Sequence, residues 1–303
     1  MSGSPRVGVI GVGAMGLGIA IRVRHSGFEV HVRDIDPARE RLAVAAGARS
    51  HPHPRSVAQA TEVCAIVVVD ASQIDTVLAG EDGLLAGLTP GRTVLLCSTI
   101  APEDTARLAL RIRSVGADVL DAPISGGPVR AAEGTMSMMI AGDPAVRERL
   151  TPLLSALAVK RFVIGDVPGE AAKAKLVNNL LAGVHLAAAA EALTLAVKLG
   201  LDPRQMADLV SVSSGQSWMF DDRMPRALAG DFAPRAQVPV LTKDMTLATA
   251  VAERSGAPVP LAEIARDLLR ATCEAGWRHE DDAAVLKHAL ARAGLEPGDH
   301  LPS

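Results

Sequence analysis

The segment Gly11-Val12-Gly13-Ala14-Met15-Gly16 constrains this chain more than any other, because of what flanks it. A β-branched run, Val7 to Ile10, precedes it, and a helical pattern follows and ends near Gly27. A second run, Val30 to Val32, leads to Asp34, 18 residues past Gly16. A GxGxxG string alone is weak. Strand, glycine turn, helix, strand and terminal acid in that order specify a dinucleotide-binding βαβ unit. Gly11 makes the tight turn, Gly13 lets backbone amides approach a pyrophosphate, and Gly16 lets helix and strand pack closely, while the helix N-terminus attracts phosphate charge. Met15, inside the turn, is grouped with these cofactor-binding residues. Asp34 is placed to accept hydrogen bonds from the adenosine ribose hydroxyls, which favours NAD. Arg33 and Arg39 keep NADP as the alternative, since a nearby arginine can bind a 2′-phosphate.

The same alternation continues to about residue 165. Further β-branched runs are Ala65–Val69, Thr93–Cys97, Ala117–Leu120, Met136–Ile140 and Arg161–Ile164, most of them followed by a helix-like segment. This predicts βαβ units and a mainly parallel, doubly wound sheet. After Gly169 no strand pattern recurs. One long helical pattern runs from Glu170 to Leu199, interrupted only by Gly183, and stops at Gly200 with Pro203 just beyond. Further helices are expected over Arg204–Val212, Thr242–Arg254, Leu261–Ala275 and Asp282–Ala293, with Asp202 and Pro203 as cap and first residue of one. The tail from Gly294 reads as loose. The expected organisation is an α/β chain with a Rossmann domain over 1–168, a long interdomain helix over 169–200, and an all-α domain for substrate and oligomerisation over 201–303.

Composition removes several classes of function. The formal net charge is −3 and aromatic residues make up 2% with no Tyr, so neither a basic surface nor stacking rings point to nucleic acid. The three cysteines, Cys64, Cys97 and Cys273, lack CxxC spacing, which argues against a disulfide framework or zinc site and for a reducing compartment. No metal is expected; His51-Pro52-His53 has no helical frame, and His279-Glu280-Asp281-Asp282 reads as a helix start. The first strand begins too early for a signal peptide before it, and the apolar stretch Leu180–Leu195 contains His185, Glu191 and Thr194. A buried helix explains that stretch better than a membrane span, so a cytoplasmic location is expected.

Four further motifs carry a resemblance. Asp121-Ala122-Pro123-Ile124-Ser125-Gly126-Gly127-Pro128 resembles the substrate-binding signature of the β-hydroxyacid dehydrogenases, the family of 3-hydroxyisobutyrate dehydrogenase, tartronate semialdehyde reductase and 6-phosphogluconate dehydrogenase. The stretch Gly169 to Asn179 resembles the family's catalytic GxGxxxKxxNN, with Ala171 in place of the second glycine. Ser98-Thr99-Ile100-Ala101-Pro102 resembles its nicotinamide-side turn, and Leu241-Thr242-Lys243-Asp244 its late LxKD motif. Residues 182–192, 217–220 and 279–285 look most like the L-threonate dehydrogenase group.

The resemblance implies an NAD(P)-dependent enzyme that reversibly oxidises the hydroxyl of a small hydroxy acid, assembled as a homodimer or homotetramer. It implies Lys175 as the general acid/base. A hydroxyl that loses hydride from its carbon must also lose its proton, and a lysine accepts it only when burial or neighbouring charge depresses its basicity. Asn179, at i+4, shares its helix face and is expected to hold the substrate. Lys173 points elsewhere and lacks that partner. Ser125, Gly126 and Gly127 offer a hydroxyl and unhindered amides for a carboxylate. Thr99 is expected beside the nicotinamide and Lys243 near the cofactor. Val69, Asp70 and Gln73, after the fourth strand, are expected to line the cofactor groove on fold position alone. Met136, Met138 and Met139 read as packing, and Trp218 and Phe220 as core or pocket edge. Two other readings remain: an imine reductase-like relative, against which Lys175 argues, and a silent dinucleotide-binding protein, against which both Lys175 and the Ser-Gly-Gly turn argue.

Overall fold

The computed structural model describes residues 5–300. The chain divides between Lys175 and Leu176 into two compact units. This break falls inside the long helix, whereas the sequence suggested breaks at the helix ends.

The N-terminal unit is organised around a nine-stranded sheet. Its strands are β1 (Val7–Ile10), β2 (Val30–Arg33), β3 (Arg49–Ser50), β4 (Val63–Ile66), β5 (Thr93–Leu96), β6 (Asp118–Asp121), β7 (Ile124–Ser125), β8 (Met136–Ala141) and β9 (Ala158–Gly165). They lie in the order β3-β2-β1-β4-β5-β6-β8-β7, with β9 paired to β8. The pairs from β3 to β6 are parallel. Beyond β6 the sheet changes character: β8 is antiparallel to β6 and β7 and parallel to β9. The run β3-β2-β1-β4-β5-β6 is the doubly wound dinucleotide-binding order, and its topological switch lies between β1 and β4.

Helices α1 (Ala14–His25), α2 (Pro37–Ala45), α3 (Pro54–Ala60), α4 (Ala71–Leu78), α5 (Pro102–Arg113), α6 (Gly127–Glu133), α7 (Pro144–Arg149) and α8 (Thr151–Leu157) follow the strands. Strands covered on both faces must be apolar throughout, and β1, β4 and β5 are buried at every position. The period of two then sorts them: Val7, Val9, Val63 and Ala65 join one core, and Ile10, Cys64 and Ile66 the other. Burial pushes the Cys64 thiol up to about 11 and Cys97 to about 12, so both are packing groups. Met136, Met138 and Met139 are buried, as expected of packing residues.

Helix α9 (Glu170–Lys198) has 29 residues. Its first turn seats Ala171 against Met139 and Ala141 of β8. In the C-terminal unit it is joined by α10 (Pro203–Ser211), α11 (Trp218–Leu228), α12 (Val238–Ser255), α13 (Pro260–Thr272), α14 (Val285–Arg292) and the short α15 (Pro297–His300). Gly183 interrupts the apolar pattern for a packing reason: a Cβ there would lie 2.3 Å from Met245 Sδ of α12. By length and composition α9 as a whole is long and apolar enough to cross a membrane, whereas the sequence argument for a buried helix concerns its stretch Leu180–Leu195. Yet Leu186, Ala190 and Leu193 are in the core of the helical unit, the role of a buried core helix.

Several elements differ from expectation. β4 ends at Ile66, so Val69 lies in the following loop. β3 and β7 have two residues each, too short to show alternation. Helix α11 was not anticipated, because Asp221, Asp222, Arg223 and Pro225 break up its apolar face. α12 starts at Val238, with proline in its first turn, earlier than Thr242. Asp202 caps α10 as expected, accepting the Arg204 N–H at 2.8 Å. Asp281 likewise caps the 3-10 turn Asp282–Ala284, so the 279–282 segment is a helix start. The tail expected to be loose carries α15; residues 301–303 lie outside the described residues.

Candidate active site

The loops at the carboxyl ends of β1 and β4 flank the switch point, where such sheets bind ligands. The glycine turn behaves there as its sequence requires. Gly11 has φ +86°, and a Cβ on it would lie 2.4 Å from the Val67 carbonyl oxygen. A Cβ on Gly16 would lie 1.9 Å from the Gly11 oxygen, so that helix α1 could not seat on the turn. Gly13 is different: a Cβ there meets nothing within 4 Å. Gly13 is also the N-cap of α1, with no side-chain cap bond and no acid in the first turn. Open space over uncapped amides at a helix N-terminus is what a pyrophosphate needs, so these residues fit a dinucleotide. Met15 is partly buried and packs against the core, with part of its surface left at the turn.

Asp34, at the end of β2, is fixed on both oxygens. One accepts the Val12 N–H at 2.6 Å and the other the Asp36 N–H at 2.9 Å. A carboxylate has about four acceptor positions, so two remain open to further donors. In the β4 loop, Asp70 caps α4 by accepting the Gln73 N–H at 2.9 Å, and the Gln73 side chain reaches back to the Val69 N–H at 2.9 Å. Asp70 and Gln73 therefore have a reciprocal capping role. Val69 is exposed beside them. The Ser98 hydroxyl accepts the Val68 N–H at 3.1 Å and ties this loop to the loop after β5, where Thr99 is half-buried.

Ser125 ends β7 and pairs with Ser137 of β8. The next two residues have φ +135° (Gly126) and +78° (Gly127), conformations that side chains disfavour, and a Cβ on Gly127 meets nothing within 4 Å. This leaves a hydroxyl and open backbone at one turn. Lys175 is 6% exposed, whereas Lys173, two residues earlier, is exposed. The two lysines on one helix thus have opposite environments.

One residue that sequence reasoning left without a role orders this region. Asp121, at the end of β6, is 2% exposed. Its Oδ2 accepts the Gly169 N–H at 2.8 Å and the Ala172 N–H at 3.0 Å. It acts as the N-terminal cap of α9 from a distant strand and fixes the turn preceding Lys175. Burial pushes its carboxyl up to about 6, against the pull of those amides. The signal was available, since an acid heads the Ser-Gly-Gly motif, but its partners are 48 and 51 residues away.

In the helical unit, Asn179 is buried and donates from Nδ2 to Asp244 Oδ2 at 2.7 Å, while its Oδ1 accepts from Asn178 at 3.0 Å. Asp244 also pairs with Lys243 at 2.7 Å. The late LxKD motif therefore orients Asn179, a link the sequence did not disclose. His51 and His53 are apart in role: His51 Nε2 lies 2.7 Å from His31 Nδ1, and His53 caps α3. Among the described residues no cluster of three or more metal-ligating side chains occurs. Phe220 is buried and Trp218 is partly exposed.

Residues 6–165 match the family described as the NAD-binding domain of 6-phosphogluconate dehydrogenase. Residues 169–289 match the family described as NAD-binding of NADP-dependent 3-hydroxyisobutyrate dehydrogenase. The chain is 38% identical over 299 residues to an L-threonate dehydrogenase of Cupriavidus necator, covering 99% of this chain and 98% of that one. A crystal structure of 3-hydroxyisobutyrate dehydrogenase from Salmonella typhimurium is 37% identical with TM-score 0.89, covering 94% of this chain and 100% of that one. An imine reductase of Streptomyces aurantiacus, 24% identical with TM-score 0.65 over 93% of this chain and 99% of that one, shares the fold alone. With its glycine turn, Ser-Gly-Gly turn and buried lysine in family order, the chain belongs to the β-hydroxyacid dehydrogenases and is an NAD(P)-dependent oxidoreductase.

Proposed function

We propose that this enzyme oxidises the hydroxyl of a small hydroxy acid of the L-threonate or 3-hydroxyisobutyrate type, with NAD as the preferred cofactor. The observation that carries the reading is Lys175: a buried amine on a helix whose first turn is held by a buried carboxylate, in a chain 38% identical to an L-threonate dehydrogenase. The bound nicotinamide supplies the hydride acceptor. Lys175 Nζ takes the hydroxyl proton as hydride leaves the same carbon, and returns it in the reverse direction. Ser125 and the amides of Gly126 and Gly127 hold the substrate carboxylate. Asn179, one turn after Lys175 on α9, orients the reacting hydroxyl through the second Nδ2 proton or the second Oδ1 lone pair that its bonds to Asp244 and Asn178 leave over. Gly11, Gly13, Met15 and Gly16 hold the pyrophosphate, Asp34 the ribose, and Val69, Asp70, Gln73, Thr99 and Lys243 the remainder of the cofactor.

The assembly is a homodimer or homotetramer. Val177, Leu181 and Leu195 along α9, and Leu199 just beyond its end, are exposed, an apolar stripe that a second copy would cover. The location is cytoplasmic. A panel of short hydroxy acids with NAD and NADP, read by nicotinamide absorbance, tests the reading. Turnover is expected with a three- or four-carbon hydroxy acid, and the Asp34 carboxylate is expected to give NAD a preference of roughly 5- to 150-fold in kcat/KM. Reduction of cyclic imines without turnover of any hydroxy acid would replace it with the imine reductase reading.

A further inference from the structure

Two residues of opposite charge stand side by side at the end of β2. Asp34 suits a ribose with free hydroxyls, while Arg33 suits one bearing a 2′-phosphate. The outcome depends on where the guanidinium is held. Arg33 Nη1 donates to Glu40 Oε1 at 2.9 Å and to the Asp34 carbonyl oxygen at 2.5 Å. Glu40 lies in the first turn of α2. The same Glu40 oxygen accepts the Asp34 N–H at 2.9 Å. Both side chains of the ion pair are mostly shielded, Arg33 27% and Glu40 17% exposed, so water screens the attraction weakly. Asp34, meanwhile, is held on both carboxylate oxygens by backbone amides.

We propose that Glu40 is a specificity-determining residue: it retains the Arg33 guanidinium in an ion pair away from the ribose and steadies the Asp34 backbone, and so selects NAD over NADP. To reach a 2′-phosphate, Arg33 has to leave Glu40, which then stands as an unpaired acid beside Asp34 and the incoming phosphate. The NADP complex thus loses one ion pair and acquires two acid–phosphate repulsions, and the NAD complex loses nothing. The two acids divide the task. Asp34 recognises the hydroxyls, and Glu40 silences the neighbouring residue that would recognise a phosphate.

The inference rests on the reading that Asp34 faces the adenosine ribose. Its test is direct titration of the intact enzyme with NADH and NADPH, which needs no substrate. Four proteins are compared at one ionic strength: wild type, Glu40→Gln, Arg33→Ala and the double variant. Glutamine keeps an acceptor for the Asp34 amide and removes the charge that retains Arg33. Glu40→Gln is expected to raise NADPH affinity relative to NADH by about 10-fold or more, the scale of one charge-assisted hydrogen bond. In the Arg33→Ala background the same substitution is expected to raise that ratio clearly less than in the wild-type background, because only the Glu40–phosphate repulsion is left to relieve and there is no guanidinium to release. A ratio unmoved by Glu40→Gln overturns the proposal and leaves the cofactor reading intact. An equal rise in both backgrounds also overturns it, since plain charge repulsion would then be the cause. Failure of the wild type to bind either nucleotide overturns the cofactor reading and this proposal with it.

Discussion

Replacing Asp121 by asparagine should change how stability depends on pH in a direction that distinguishes two physical accounts of this site. Asp121 is buried and accepts the Gly169 and Ala172 amides of α9. Those donors favour the carboxylate, and burial favours the neutral acid; burial prevails and pushes the group up to about 6 from an ordinary 3.8. The folded state therefore holds this proton more tightly than the unfolded chain. Its contribution is fully present below the ordinary value and is lost as pH rises through about 6. At about 1.4 kcal/mol per pKa unit, a shift of roughly 2 units corresponds to about 3 kcal/mol. The stability of wild type minus that of Asp121→Asn should thus decline by most of this, about 2.5 kcal/mol, between pH 4 and pH 7, the other titrating groups cancelling in the difference. Urea unfolding followed by far-UV circular dichroism measures it, since both tryptophans, Trp218 and Trp277, lie in the other unit. A difference that grows with pH would refute the argument. It would mean that the α9 amides outweigh burial and hold Asp121 ionised.

Lys175→Met should lower kcat by about 100-fold or more with NADH affinity little changed, while Lys173→Met, at an exposed position, should be nearly silent; steady-state kinetics of both variants would expose a misplaced motif if the phenotypes were exchanged. Ser125→Ala should reduce kcat/KM by roughly 10- to 150-fold, the loss of one hydrogen bond to a charged carboxylate, and an unchanged kcat/KM would remove Ser125 from the site. Gly13→Ala should keep the melting temperature of the free enzyme, because its Cβ meets nothing within 4 Å, but weaken NADH binding. Gly16→Ala should instead lower the melting temperature, its Cβ lying 1.9 Å from the Gly11 oxygen; equal melting behaviour of the two variants would contradict the geometry of the turn.

The dinucleotide half was legible because its information is local. Glycine turn, helix and terminal acid follow one another within one βαβ unit, and the order of alternating elements admits few sheets. The long helix was equally plain from its period and its stop at Gly200. The lysine of that helix was found through its motif, since spacing alone does not distinguish Lys175 from Lys173. What the linear pattern concealed was short or mixed: the two-residue strands β3 and β7, and α11 with its acids and internal proline.

Amino-acid order by itself thus determined most element types, the parallel part of the sheet and the glycine turn, and singled out candidate site residues. Tertiary structure alone decided which of those residues constrain one another. Asp121 reaches the amides of α9 from β6, Asp244 fixes Asn179 from α12, and Glu40 retains Arg33 from α2. The physical reason is that a charged or amide side chain can be satisfied by many partners of similar energy. Which one it finds depends on distances set by the packing of whole strands and helices, and those distances are not written in sequence spacing.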